Sequence, residues 1–165
     1  MPVNELLLRE FDQEMSRTQA TLERVPAANW DWKPQPKSGS LAWMAGHVAT
    51  LPGFGLVILT TPIFETTAAR IPKIERHAEL LDGFAQRRND ARSALASVTD
   101  EQLQQTWTMK RDGRTLFSMP RYDAFRVMFL NHIVHHRGQL TMYLRQLDIP
   151  VPPLYGPSAD ENPFV

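Results

Sequence analysis

The residues of this chain best suited to chemistry are two histidines, His132 and His136, four positions apart in a segment with a helical sequence pattern. Residues at i and i+4 lie on one face of a helix. Imidazole is the commonest protein metal ligand and binds zinc, nickel, copper and iron, so one helical turn here can aim two ligands at one point. His47 lies in another apolar helical segment. Two packed helices would therefore complete a three-histidine site.

The same spacing also has an ordinary structural explanation. An unsatisfied buried imidazole costs roughly 1–3 kcal/mol, so each ring would bond a backbone carbonyl or the neighbouring ring. Spacing alone does not separate this explanation from metal binding, because His-x-x-x-His is short enough to occur by chance. His135 projects about 100° from His136 around the helix, which predicts a solvent-facing side chain. His77 lies on a charged segment and is predicted to be an ordinary surface residue.

Other metal-site signatures do not fit the sequence. A zincin helix needs glutamate directly after its first histidine, and this chain has Ile133 there. The Glu-x-x-His pairs of di-iron bundles do not occur in the sequence. The absence of cysteine excludes zinc fingers, disulfides and a protein thiol nucleophile. What remains is an all-histidine site with open coordination positions, which is typical of catalysis more than of structural clamping.

Length and charge narrow the class of protein. The chain has 165 residues, which predicts a single domain over residues 1–165. It carries 18 basic and 18 acidic residues, so no net field favours nucleic acid or anionic lipid as a partner. Residues 1–5 lack the basic and apolar regions of a secretory signal, which predicts a cytoplasmic protein.

One segment has the length of a membrane span. Residues 38–64 contain no Asp, Glu, Lys or Arg. Pro52 and Gly53 are expected to break or kink any continuous helix there, so we predict a buried helix followed by an irregular stretch and no membrane partner. Exposed apolar area often marks an interface, and this uncharged segment also predicts a homodimer.

The pattern of apolar residues predicts four helices. They cover residues 3–25, a second segment with Ser40 as N-cap, residues 73–98 and residues 121–147. Residues 99–102 predict a short helical turn, and an Asp-Gly signal within 107–117 allows a small hairpin or irregular excursion. The predicted fold is all-α, a four-helix bundle with long irregular connections.

The same pattern gives candidate core positions on three of these helices. In the last helix, one inward stripe contains both site histidines. The candidates are Leu6, Leu7, Phe11, Met15, Thr18 and Leu22 in the first helix, Ile74, Leu80, Leu81, Phe84 and Leu95 in the third, and Phe125, Phe129, His132, His136, Leu140 and Tyr143 in the last.

Four pieces of sequence, in this order, resemble the DinB family of DinB/YfiT-like metalloenzymes. They are residues 30–34, the helix opening of residues 40–47 that ends in Gly-His, the motif His-Ile-Val-His-His-Arg-Gly-Gln at 132–139, and residues 155–160. The resemblance implies an up-down-down-up four-helix bundle that is often a homodimer. It also implies a divalent ion, nickel or zinc, held by His47, His132 and His136.

Relatives of this family include thiol-dependent enzymes, among them mycothiol-dependent maleylpyruvate isomerases and thiol S-transferases. The resemblance thus implies a metal-dependent S-transferase or isomerase whose partners are a low-molecular-weight thiol and a small electrophile. A divalent ion lowers the pKa of a coordinated thiol or water, and Gln139 and Tyr143 lie where they could orient a ligand. The alternatives are a metal-dependent hydrolase and a non-catalytic metal- or ligand-binding stress protein. A DNA-binding protein ranks last, because the sequence has no basic stripe.

Overall fold

The computed structural model describes residues 1–67 and 74–164, and most of these residues are helical. The mainly helical class is therefore confirmed, although a small sheet is added to it. The elements in chain order are α1 (Val3–Leu22), α2 (Leu41–Thr60), β1 (Ile63–Glu65), a 3₁₀ turn (His77–Glu79), α3 (Leu80–Ser97), α4 (Asp100–Gln104), β2 (Thr106–Arg111), β3 (Arg114–Pro120), α5 (Arg121–Ala124), a π-helical segment (Phe125–Leu130) and α6 (Asn131–Gln146).

Helix α1 forms where the amphipathic pattern predicts it and ends at Leu22, three residues earlier than expected. Its apolar face packs on α3, α6 and α2. The predicted core position Leu6 is wrong, because its side chain is 53% exposed. The adjacent Leu7 occupies the inward position instead and is buried. Successive helix residues point about 100° apart, so both leucines cannot face the core.

Helix α2 begins as predicted, with the Ser40 hydroxyl accepting a hydrogen bond from the Trp43 backbone N–H. The predicted break at Pro52 is wrong, since α2 continues to Thr60. Proline inside a helix costs about 3 kcal/mol or more, so packing must outweigh that cost. Pro52 is itself buried. At the other end, the Arg121 guanidinium donates to the Leu59 carbonyl and helps to satisfy the last turn.

The uncharged segment is used inside the protein. Among the described residues, α2 is one helix long and apolar enough to cross a membrane, but 61% of that stretch is buried within the fold. It packs on α3 and on the π-helical segment and α6. Burial against these helices is what a core helix requires, and it accounts for the apolar composition of α2.

Helix α3 is shorter than predicted. Lys73, the predicted first residue, lies outside the described residues, and residues 74–76 are not helical. The predicted core residue Leu81 is wrong, because 41% of it is exposed. The other predicted core positions of this segment are buried, namely Ile74, Leu80, Phe84 and Leu95.

The last helical region runs without interruption through α5, the π-helical segment and α6. The π-helical segment was not predicted. Glycine is needed where this segment meets α2, because a Cβ on Gly55 would lie 2.9 Å from the Phe129 ring. The predicted inward stripe is confirmed, since its four apolar members are buried and its two histidines are half-buried.

A three-stranded sheet packs beside the helices in the order β1-β2-β3. Strands β2 and β3 form the antiparallel hairpin that the Asp-Gly signal allowed, with positive φ at Asp112 and Gly113. The parallel strand β1 was not predicted. Its Phe64 packs against the fully buried Trp107 of β2. The short helical turn at 99–102 is confirmed as the start of α4, which Thr99 and Gln102 close with a capping box.

Candidate metal centre

Helices α2 and α6 bring the three predicted histidines together. His47 projects from α2, while His132 and His136 project from successive turns of α6. One ring nitrogen from each lies within 4.8 Å of the others. All three side chains are half-buried, so the cluster lies at the edge of the core and remains reachable from solvent. The group is therefore able to hold a metal ion.

The spacing of the nitrogens fits a small divalent ion. Nε2 of His47 lies 3.3 Å from Nε2 of His132. Two nitrogens bound to a tetrahedral zinc at about 2.0–2.1 Å are about 3.3–3.4 Å apart. The ring of His136 completes the triangle, with its centroid 4.5 Å from that of His47 and 4.6 Å from that of His132. The donor set and its dimensions thus match a tris-imidazole site.

Hydrogen bonds on the far side of two rings hold their orientation. Nδ1–H of His132 donates to the Met128 carbonyl at 3.2 Å, and Nδ1–H of His136 donates to Oε1 of Gln139 at 2.7 Å. Metal-binding histidines characteristically donate their second ring N–H in this way, which leaves the other nitrogen free as a ligand. Gln139, predicted to orient a ligand, orients His136 instead.

Burial keeps the three imidazoles neutral. Desolvation lowers the pKa of His47 to about 4, and charge on His136 or His132 would lower it further. Burial also lowers the pKa of His132 and of His136, although the hydrogen bonds to Met128 and Gln139 partly oppose this. All three rings are consequently unprotonated at neutral pH, and neutral imidazole is the form that binds a metal.

The structural explanation of the histidine spacing accounts for part of this arrangement. His132 does bond a backbone carbonyl, and its other nitrogen does lie beside another ring. What that explanation does not require is a third imidazole from a different helix. Crowding three basic rings at one point works against their protonation. An ion shared by all three nitrogens gives the whole cluster one purpose.

Trp43 covers one side of the cluster, one helical turn before His47. Its indole stacks on the His47 ring with centroids 5.2 Å apart and planes inclined by 10°. Its edge faces His136 at 6.4 Å. The side chain is nevertheless 49% exposed. Sequence reasoning missed this residue, although a tryptophan four positions before His47 was a readable signal.

The remaining histidines lie outside the cluster. His135 is exposed, as predicted, although its ring centroid is 4.8 Å from that of His136. His77 is half-buried, so the surface prediction for it is wrong. Its Nε2–H donates to the Val25 carbonyl at 2.8 Å, and its ring packs edge-on against Trp30. These contacts satisfy His77 as a structural residue.

Tyr143 also has a different contact from the one expected. It was placed among residues that could orient a ligand, but its hydroxyl donates to the Gly39 carbonyl at 3.2 Å. This bond connects α6 to the segment just before α2. Tyr143 therefore supports the approach of the two helices that carry the histidines.

A buried polar network lies on the opposite side of α6. Arg137, fully buried, donates to the Glu14 carboxylate of α1 at 2.6 Å and contacts the Tyr155 hydroxyl at 2.5 Å. Arg17 also pairs with Glu14. Burial works to raise the pKa of Glu14, but the hydrogen bonds from Tyr155 and Arg137 leave it lowered. This network was missed, although Arg137 and Tyr155 belong to segments that carry the family resemblance.

Comparison with known proteins gives one consistent family. The sequence profile of the DinB superfamily matches residues 10–140. An uncharacterized Bacillus subtilis protein, YrdA, is 27% identical over 158 residues, which cover 93% of this chain and 89% of YrdA. A DinB-like protein of Bacillus cereus has a crystal structure that is 25% identical, with a TM-score of 0.69 over 90% of this chain and 95% of its own.

The fold is shared more widely than the sequence. The crystal structure of YjoA, a DinB-like protein of Bacillus subtilis, is 17% identical with a TM-score of 0.72, and the match covers 91% of this chain and 96% of YjoA. A DinB-family member from Exiguobacterium sibiricum is 19% identical with a TM-score of 0.64, covering 90% of this chain and 94% of its own. From the profile match over most of its length, this chain belongs to the DinB superfamily.

Proposed function

We propose that this protein is a metal-dependent enzyme that binds zinc or nickel through His47, His132 and His136. The observation that carries the proposal is the convergence of three neutral imidazoles from two helices, with ligand atoms within 4.8 Å of one another. Three protein ligands leave a position of a four-coordinate ion for an exogenous group. This is the coordination number of catalytic zinc sites, whereas structural sites are closed by a fourth protein ligand.

The reaction we propose is the transfer or isomerisation of a small electrophile with the help of a low-molecular-weight thiol. A divalent ion at this site would lower the pKa of a coordinated thiol or water and so supply a nucleophile near neutral pH. The chain contains no cysteine, so the sulfur must come from outside the protein. Resemblance to thiol-dependent relatives of the family supports the same choice.

The charges around the site favour an anionic partner. No carboxylate contributes to the lowered pKa values of the three histidines within the described part of the chain. Neutral imidazoles do not compensate the charge of a divalent ion, which leaves the site attractive to an anion such as a thiolate. The chain's own contribution is to hold the three rings in place through Met128, Gln139 and the helix packing, and to leave the cluster half-exposed for a ligand.

Metal loading followed by a thiol screen tests this function. The purified protein, produced without a histidine tag, is loaded with zinc or nickel and mixed with a small electrophile, with and without each of several small thiols. We expect electrophile consumption that requires both metal and thiol. Consumption that needs metal but is indifferent to every thiol would replace the proposal with a hydrolase. Metal binding without any turnover would leave a metal-binding stress protein.

Three coarser properties accompany the proposal. We propose that the four long helical regions form the up-down-down-up bundle of the family, since α1 packs on α3 and α6 while α2 packs on α3 and α6. A cytoplasmic location and a homodimer also stay predictions. The uncharged stretch that motivated the homodimer is largely used in the core of the protomer. Light scattering across micromolar concentrations decides the matter, because a monomeric mass throughout would exclude the dimer.

A further inference from the structure

The three histidines are not held in the same way. His132 and His136 each donate Nδ1–H to an oxygen. Within residues 1–67 and 74–164, no hydrogen-bond partner reaches Nδ1 of His47, whose ring nitrogens make a single contact, with Nε2 of His132. A metal ligand without an outer hydrogen bond needs some other contact to fix the plane of its ring.

Trp43 supplies that contact. The near-parallel planes, 10° apart with centroids separated by 5.2 Å, describe an offset stack, which is a favoured geometry for two π-systems. Because Trp43 precedes His47 by four residues on α2, the two rings lie on the same helix face. The indole therefore limits rotation of the imidazole on the side away from the other histidines.

The indole is itself fixed by a glycine. A Cβ placed on Gly39 would lie 2.5 Å from Cε3 of Trp43, a separation that real Cβ atoms do not tolerate. The Gly39 carbonyl in turn accepts a hydrogen bond from the Tyr143 hydroxyl of α6. A continuous set of contacts thus runs from Tyr143 through Gly39 and Trp43 to His47, connecting the two helices that carry the candidate ligands.

The exposure of Trp43 is hard to explain by core packing. About half of the side chain, 49%, faces solvent. By contrast, Trp107 is fully buried among aromatic rings. An exposed indole contributes less burial of apolar area to stability than a core residue does. Its contacts with His47 and His136 give it a place at the site instead.

From these contacts we propose that Trp43 is the positioning residue of His47, and that Gly39 is the residue that allows it to act as one. The proposal rests on the proposed metal function and adds the residue that prepares its third ligand. Removing the indole leaves all three histidines in the chain but lets the His47 ring rotate. Loss of such an outer contact typically weakens metal binding by about 10- to 100-fold.

The first measurement uses the metal-free protein. The imidazole protons of His47 are assigned by NMR in wild type, Trp43→Leu, Trp43→Phe and a control, Trp30→Leu, which removes the tryptophan that packs on His77. The ring current of Trp43 should shift the His47 protons in wild type. We expect that shift to disappear in Trp43→Leu, to remain in part in Trp43→Phe, and to be unchanged in Trp30→Leu.

The second measurement is calorimetric titration of the same four proteins with zinc alone. Trp43→Leu should bind zinc about 10- to 100-fold more weakly, and Trp43→Phe, which keeps a ring to stack, should recover much of the affinity. Gly39→Ala reaches the same end by a different route, because its methyl group displaces the indole. It should weaken zinc binding in the same direction and serves as the second test if Trp43→Leu fails to fold.

The outcomes separate the two proposals. Equal zinc affinity in wild type and Trp43→Leu, or an unchanged His47 shift in Trp43→Leu, would overturn the positioning role while leaving the metal site standing. Absence of zinc binding in wild type would overturn the metal function. In that case the shift in the metal-free protein still shows whether Trp43 holds the His47 ring.

Discussion

Nε2 of His47 and Nε2 of His132 lie 3.3 Å apart, although 85 residues separate them in the chain. The contact exists because α2 packs along α6 and the π-helical segment that precedes it. Gly55, two turns beyond His47, makes this approach close enough, since a side chain there would collide with Phe129. Packing between helices, and not local sequence, therefore assembles the candidate site.

Replacing each candidate ligand should remove bound metal. We expect His47→Ala, His132→Ala and His136→Ala each to lower the zinc or nickel content measured by elemental analysis after loading and dialysis. Only the clustered rings have nitrogens close enough to share an ion among the described residues. His135→Ala and His77→Ala are the matched controls and should retain far more metal. Equal metal content in wild type and all three ligand variants would refute the site.

The His47 ring should titrate at unusually low pH in the metal-free protein. Burial lowers its pKa to about 4 from the ordinary value of 6.5. As pH falls below about 6.5, the unfolded chain therefore takes up a proton that the folded chain does not, and this part of the stability is lost down to about pH 4. NMR titration of the imidazole checks the pKa, and a midpoint near 6.5 would contradict it. His135 is the exposed internal control.

Breaking the network around Glu14 should destabilise the fold. Glu14→Gln leaves the fully buried Arg137 without its carboxylate partner, and loss of one member of such a pair typically costs about 3–5 kcal/mol. The control on the same helix is Glu10→Gln, whose partner Arg126 is about one-third exposed and whose ion pair is expected to contribute about 0–1 kcal/mol. Urea denaturation gives both free energies of unfolding. Equal losses in the two variants would contradict the assignment.

The same network predicts a dependence on acid. The hydrogen bonds from Tyr155 and Arg137 outweigh burial and lower the pKa of Glu14 from its ordinary 4.5. Its contribution to stability is thus fully present above about pH 4.5 and is lost as pH falls through the lowered value. Unfolding free energies measured between pH 6 and pH 3 should fall less steeply in Glu14→Gln than in wild type.

Two helical glycines should respond in opposite directions to alanine. Gly55→Ala places a methyl group 2.9 Å from the Phe129 ring and should destabilise the protein by about 1–3 kcal/mol, because the core must shift. Gly138→Ala meets nothing within 4 Å and should stabilise α6 by up to about 1 kcal/mol. Thermal unfolding of the two variants gives the signs. A neutral Gly55→Ala would show that α2 and the π-helical segment do not pack this closely.

Local signals predicted the ends of several elements well. Ser40 and Thr99 cap helices where their hydroxyls were expected to, and the Asp-Gly pair forms the turn between β2 and β3. These features depend on a few neighbouring residues, so the sequence is sufficient to read them. The inward stripe of α6 was readable for the same reason, since helix periodicity places its members on one face.

Tertiary packing overruled local expectation elsewhere. Pro52 does not end α2, because burial of the surrounding helix outweighs the lost hydrogen bond. Leu81 is exposed although it is apolar, since the neighbouring Leu80 takes the inward position. Strand β1 has only three residues and is a strand through its pairing with β2, which no short apolar run can announce.

For the candidate site, the sequence by itself determined that His132 and His136 share one face of α6, because that relationship depends only on helix geometry. Only the tertiary structure decided that His47 meets them. It also decided that Trp43 stacks on His47 and that Arg137, next to His136, faces Glu14 on the other side of the helix. These contacts join segments far apart in the chain, and their distances depend on how closely whole helices pack.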